Sequence, residues 1–314
     1  MKILFTGASS FTGYWFVKEL AAAGHEVVAV FRRSEYADEP RRTRVALLNQ
    51  LCRPVHDVAF GDNSFIDLIN EGGWDVFCHH GAESSNYKSP DFDVPAALAA
   101  NTFRHTSVIR SLQSAGCGSI VLTGSVFEND EGAGSTELHA FSPYGVSKGL
   151  TWQTFRYSAH AAGMPLRKFV IPNPFGPFEE PRFTHYLMNN WLAGRKPSVN
   201  TPAYVRDNIH VALLAKAYSG FATGPLAGTK RLGPSGYIET QGAFTARFAE
   251  EMRTRLAIPC EFELKTQTAF PEPRIRINTD ILDTAALRFD EAGAWDAIAE
   301  YYLALVRRPT LTDA

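Results

Sequence analysis

Met1-Lys2-Ile3-Leu4-Phe5-Thr6-Gly7-Ala8-Ser9-Ser10-Phe11-Thr12-Gly13 opens the chain and decides how it folds. Lys2–Phe5 is a short apolar run that reads as a strand, and Thr12–Ala23 reads as a helix. The turn between them carries a glycine at each end. Strand, glycine turn and helix in that order make an anion site: the backbone comes close to a pyrophosphate, which rests on the helix N-terminus. Gly7 suits the tight turn, and Gly13 lets the helix pack against the strand. Ser10 stands where the common pattern has its middle glycine, and a small residue still permits close approach. Ser9, Phe11 and Thr12 complete the candidate phosphate contacts. A lone glycine pattern is weak, but its place between a strand and a helix sharpens it. The competing reading is an ordinary βα turn.

Outward from this turn the same alternation continues. Glu26–Phe31, Val55–Phe60, Val76–His79, Ser119–Thr123 and Arg167–Ile171 read as strands. Arg42–Cys52, Phe65–Glu71, Pro95–Ser114 and Pro143–Ala162 read as helices between them. This rhythm predicts βαβ units with right-handed crossovers, hence an α/β fold of the Rossmann type with a doubly wound parallel sheet. The second half is less regular, with Pro172, Pro174, Pro177 and Pro181 clustered ahead of helices at Phe183–Ala193, Val211–Phe221, Phe244–Leu256 and Glu291–Leu305. The expected division is a nucleotide-binding domain over 1–171 and a smaller substrate-binding lobe over 172–314 that returns in part to the main domain.

Bulk properties narrow the function. The chain has 314 residues, 45% hydrophobic and 20% charged, with a formal net charge of −2. Nothing in that balance points to nucleic acid or a membrane surface as partner. No apolar stretch approaches the roughly 20 residues that span a bilayer, and the N-terminal apolar run is too short for a signal peptide. Cys52, Cys78, Cys117 and Cys260 lack zinc or disulfide spacing, so reduced thiols and a cytoplasmic location are expected. The pair His79-His80 invites a metal reading, but neighbours on a strand point to opposite faces; no metal is expected.

The coenzyme is read at the end of the second strand. An acidic residue there would bind a ribose 2′-hydroxyl, whereas arginine suits a 2′-phosphate. The chain has Phe31-Arg32-Arg33-Ser34, which predicts NADP, with NAD as the alternative. Asp62 stands where a carboxylate would meet the adenine amino group, although Gly61-Asp62 also suits a simple turn. His80, Gly81 and Ala82, closing the fourth strand, are expected to line the cofactor. Further on, Tyr144 and Lys148 lie four residues apart, on one face of a helix. A phenol near pKa 10 is a poor base, and a neighbouring ammonium together with an oxidised nicotinamide favours its ionised form. The pair can then exchange a proton with a carbinol during hydride transfer.

Taken together, Thr6–Gly13, Tyr144-Gly145-Val146-Ser147-Lys148, Asn173-Pro174-Phe175-Gly176-Pro177 and Arg206-Asp207-Asn208-Ile209-His210-Val211 resemble the extended short-chain dehydrogenase/reductase family. Within it, the likeness is to nucleotide-sugar epimerases, dehydratases and ketoreductases, over roughly Met1 to Arg308. The resemblance implies a tightly held nicotinamide and a sugar nucleotide beneath the small lobe. It points to Thr123 as the hydroxyl meeting the reacting sugar oxygen, with Ser125 as fallback. It gives Asn173 a place near the sugar or phosphate and makes Arg206 a diphosphate clamp; Arg182 and Arg274 are weaker phosphate candidates. Glu83 and Ser84 are placed to face the sugar. The family's 4,6-dehydratases carry an acidic pair after the threonine, and this chain has Gly124-Ser125 instead. Without that acid and base, redox at one sugar carbon remains: an NADP(H)-dependent ketoreductase or an epimerase. An NAD-dependent 4-epimerase and a non-catalytic nicotinamide sensor are the alternatives. The family habit also makes a homodimer the expected assembly.

Overall fold

The computed structural model of the chain describes residues 1–135, 137–228 and 230–307; Arg308 and the expected lobe end at 314 lie outside them. In chain order the first part runs β1 (Lys2–Thr6), α1 (Phe11–Ala22), β2 (Glu26–Val30), α2 (Glu39–Leu48), β3 (Arg53–Val55), α3 (Asn63–Asn70), β4 (Val76–His79), α4 (Val94–Asn101), α5 (His105–Ser114), β5 (Ser119–Ser125), β6 (Ala133–Gly134), α6 (Pro143–Ala161) and β7 (Leu166–Ile171). It continues with β8 (Asn173–Phe175), α7 (Phe183–Leu192), β9 (Ser198–Val199), β10 (Val205–His210), α8 (Val211–Thr223), β11 (Arg231–Leu232), β12 (Tyr237–Thr240), α9 (Gln241–Leu256), β13 (Glu263–Leu264), β14 (Ile275–Ile277) and α10 (Glu291–Arg307).

Seven strands form a parallel sheet in the order β11-β7-β5-β4-β1-β2-β3. Strand order reverses between β1 and β4, and ligands of such sheets bind outside the carboxyl ends at that point. Alternate strand residues face opposite helical layers. Ile3, Phe5, Val27 and Val121 pack against α1, α2 and α8. Leu4, Val28, Phe77 and Leu122 pack against α3, α5 and α6. Both faces are therefore buried, which is why these strands read as near-continuous apolar runs. A second sheet, β12-β10-β14-β6 with β8 beside β10, flanks the first. A third core joins α7, α9 and α10 around Phe175, Trp191, Phe248 and Trp295.

Two expected elements differ. The single helix over Pro95–Ser114 is broken into α4 and α5, with Arg104 in the left-handed region at φ 48°. The break follows Asn101, whose side chain turns inward to accept from the Glu83 amide at 2.7 Å and to donate to Thr151 Oγ1 at 3.3 Å. The strand expected over Val55–Phe60 is only β3, because Asp57 adopts φ 59° and accepts from the Ser34 amide at 3.0 Å.

Candidate active site

A cleft of about 1320 Å³ runs along the carboxyl ends of β1, β2, β4 and β5, beneath the second sheet. At its floor, Ser10 caps α1: its hydroxyl donates to Gly7 O at 2.9 Å and accepts the Gly13 amide at 3.1 Å. This bond forces the chain to fold back before the helix starts. Gly7 has φ +80°, and a Cβ there would lie 2.6 Å from Gly81 N. Gly7→Ala is therefore expected to weaken binding of a nicotinamide dinucleotide at least ~10-fold through backbone strain of about 1–3 kcal/mol. A fluorescence titration that found unchanged affinity would refute this tight-turn account.

Most residues expected at the site line this cleft: Gly7, Ser9, Ser10, Phe11, Thr12, Arg32, Asp62, His80, Gly81, Ala82, Glu83, Ser84, Thr123, Ser125, Tyr144, Lys148, Asn173 and Arg206. Gly13 and Arg33 are not among its walls. Gly13 lies beneath the turn, and Arg33 is exposed on the β2–α2 loop. Arg32 is also largely exposed, with Glu83 3.8 Å away. Arg41 of α2 lines the cleft as well. Arg44, one turn further along α2, is fully buried; its Nε donates to Ser9 O at 2.9 Å and its Nη1 to Phe178 O at 2.9 Å. A buried guanidinium thus backs the glycine turn. Its sequence position gave no sign of it, because its partners lie 35 and 134 residues away.

The catalytic candidates converge at the end of β5. Lys148 is buried, and its Nζ donates to Thr123 O at 2.6 Å. Burial disfavours its cation and pushes its pKa down to about 8, against the opposing pull of Glu128. The Tyr144 ring meets Tyr87 and Phe92 edge-on, and burial with the Glu128 charge raises its phenol pKa well above the ordinary value. Its phenol is thus protonated when neither Lys148 nor a bound cation overcomes these effects.

The two histidines do point apart. His79 stacks on Phe60 and accepts or donates at Thr6 Oγ1, whereas His80 faces Phe5 and Phe16 across the sheet. Among the described residues no group of three or more metal-binding side chains gathers. No described helix is long and apolar enough to cross a membrane.

At position 124 a side chain would have to displace the Lys168–Glu128 ion pair. A Cβ on Gly124 would lie 2.5 Å from Lys168 Cε and 2.8 Å from Glu128 Oε1. Glu128 accepts the Ser125 amide at 2.7 Å and pairs with Lys168 at 2.6 Å.

Arg206 lines the cleft with its guanidinium already engaged. Nη1 donates to Val205 O and Pro273 O, each at 3.0 Å, and Nη2 pairs with Glu272 at 2.9 Å. A diphosphate at Arg206 must therefore displace Glu272, which is 53% exposed and free to swing out. Arg182 also lines the cleft, its guanidinium over the rings of Phe11 and Tyr87. Arg274 lies over Phe270, away from the cleft walls.

Residues 3–230 match the model of the NAD dependent epimerase/dehydratase family. The chain belongs to that family. Its members are enzymes of the extended short-chain dehydrogenase/reductase type. Solved structures share the fold over the whole chain at low identity. UDP-glucose 4-epimerase of Thermotoga maritima has TM-score 0.74 at 17% identity, over 98% of this chain and 100% of that one. UDP-glucuronic acid 4-epimerase of Bacillus cereus, solved with UDP-glucuronic acid and NAD, has TM-score 0.74 at 15% identity, over 97% and 100%. dTDP-glucose 4,6-dehydratase of Streptomyces venezuelae has TM-score 0.70 at 19% identity, over 97% and 97%. No curated protein sequence matches the chain.

Proposed function

We propose that this epimerase/dehydratase-family enzyme carries out NADP(H)-dependent redox at one carbon, C4, of a nucleoside-diphosphate hexose, as a ketoreductase or epimerase. The reading rests on Thr123, Tyr144 and Lys148 meeting the glycine turn in one cleft. The residues fit a nicotinamide dinucleotide: the capped N-terminus of α1 borders the cleft, and Arg32 and Arg41 line it as well. The bound nicotinamide would supply the hydride donor or acceptor.

The chain's own groups would do the rest. Tyr144 exchanges a proton with the reacting sugar oxygen, Lys148 lends a cation, and Thr123 holds that oxygen by its hydroxyl. The filled site at Gly124 argues against elimination of water. Asn173 and Arg206, with Arg182, supply polar groups for the diphosphate end, while Glu83, Ser84 and Ser125 border the sugar end. A homodimer through α4 and α6 completes the proposal. Val146, Leu150 and Tyr157 are exposed along α6, Tyr157 at 76%.

NADPH absorbance with a panel of 4-keto-6-deoxy sugar nucleotides tests the reductase; interconversion of 4-hydroxy epimers without net redox tests the epimerase. The NAD-dependent epimerase is the second reading, favoured by the NAD held in the Bacillus cereus structure. A sensor would show neither activity. Coenzyme choice has its own test. Arg32→Glu should weaken NADPH about 10-fold and NADH less than about 2-fold, whereas Arg33→Glu should change neither, since charge-assisted phosphate contacts need proximity. Equal losses for both coenzymes would count against NADP.

A further inference from the structure

The His80 side chain touches both the cofactor turn and the candidate catalytic threonine. Its Nε2 lies 3.1 Å from Ser10 Oγ and 3.1 Å from Thr12 Oγ1. Its Nδ1 lies 3.1 Å from Thr123 Oγ1. Phe5 and Phe16 flank the ring, at centroid distances of 5.7 and 5.2 Å, so it is held in plane. We propose that His80 is a positioning residue, whose imidazole fixes the Thr123 hydroxyl and ties it to the glycine turn that receives the coenzyme. The inference rests on the reading of Thr123 given above.

Proton accounting shows what the imidazole does. Ser10 spends its hydroxyl hydrogen on Gly7 O, so it can only accept from Nε2. Thr12 Oγ1 has Nε2 as its hydrogen-bonding partner. A neutral imidazole carries one N–H for these three oxygens. If Nδ1 carries it, Thr12 donates to Nε2, His80 donates to Thr123, and the Thr123 hydrogen is left for the sugar oxygen. If Nε2 carries it, Thr123 must donate to Nδ1 and meets the sugar only as an acceptor. Either way the donor or acceptor sense of Thr123 is set through His80 by the state of the turn. Burial and the Lys148 charge keep the ring neutral, with a pKa pushed down to about 3. Behind Thr123, the buried Tyr218 phenol approaches it and Cys78 without forming a full hydrogen bond to either. His80 is therefore the principal constraint on the Thr123 hydroxyl.

The test uses the full chain loaded with NADPH and the sugar nucleotide that it turns over, with a spectroscopic readout beside the kinetics. In ¹⁵N-histidine spectra His80 should stay neutral from about pH 5 to 8, and Thr123→Ala should shift its Nδ1 resonance. In kinetics, His80→Leu should lower kcat by about 10- to 100-fold, as loss of a well-placed hydrogen bond does. KM should change little. His80→Asn, whose amide nitrogen stands where Nδ1 does, should recover most of the rate. In a Thr123→Ala background His80→Leu should cost nothing further. Losses that multiply, a His80 that titrates near its ordinary pKa, or full activity in His80→Leu would each overturn the proposal. If Tyr144→Phe is inactive while His80→Leu is fully active, this inference alone has failed. If Tyr144→Phe is as active as the parent, the reading of the site has failed and His80 falls with it.

Discussion

Tyr144→Phe should lose about 10²- to 10⁴-fold in kcat, the range removed with a general acid–base group, while binding NADPH as the parent does. The substitution deletes one hydroxyl and keeps the ring that packs against Tyr87 and Phe92, so the fold and the coenzyme site stay intact. The pH profile sharpens the test. In the reductive direction Tyr144 must donate, and burial with the Glu128 charge keeps its phenol protonated far above neutrality. Lys148 limits the range instead. Desolvation favours its neutral form, so its cation is lost as pH rises through about 8. The reductive rate should be level from pH 6 to about 8 and fall above. Glu128 pulls the Lys148 pKa upward, so Glu128→Gln should move that fall to lower pH. A Tyr144→Phe enzyme retaining more than about a tenth of the rate would remove the phenol from the chemistry.

Much of this site is legible in the chain because its parts are local. The glycine turn and the Tyr144–Lys148 spacing each lie within one element or one turn. The strands of the main sheet read easily, because burial on both faces makes them apolar throughout. What escapes reading depends on partners far away in sequence. Asn101 breaks a helix that its own neighbours would continue, because its amide is needed by Glu83 and Thr151. Arg44 looks like one more charge on α2 and is a buried support of the turn. His80 reads as one more residue lining the cofactor; its ring contacts to Ser10, Thr12 and Thr123 come only from folding. Arg206 reads as a free clamp, and its engagement with Glu272 comes from a loop 66 residues on.

Lys168→Met should destabilise the fold by about 3–5 kcal/mol, as removing one partner of a buried ion pair typically does. Lys168 is 3% exposed, with Glu128 and Glu131 each 2.6 Å from its Nζ, and those carboxylates are 1% and 9% exposed. Methionine fills similar volume but leaves two carboxylates facing each other. Glu131 keeps a second ion-pair partner, Arg231 at 2.7 Å, whereas among the described residues Glu128 has no other ion pair. The thermal midpoint should fall by on the order of 10 °C. Adding Glu128→Gln should restore a large part, since the amide still accepts the Ser125 N–H at the end of β5 without bringing a charge. That recovery separates charge from packing: a lost methylene stem would not be repaired at position 128. The consequence reaches the site, because the same Glu128 oxygen that holds the Ser125 amide sits where a side chain at 124 would stand. If Lys168→Met is silent in both stability and rate, the triad is hydrated, and the β5 end is held by its backbone ladder to β7 alone.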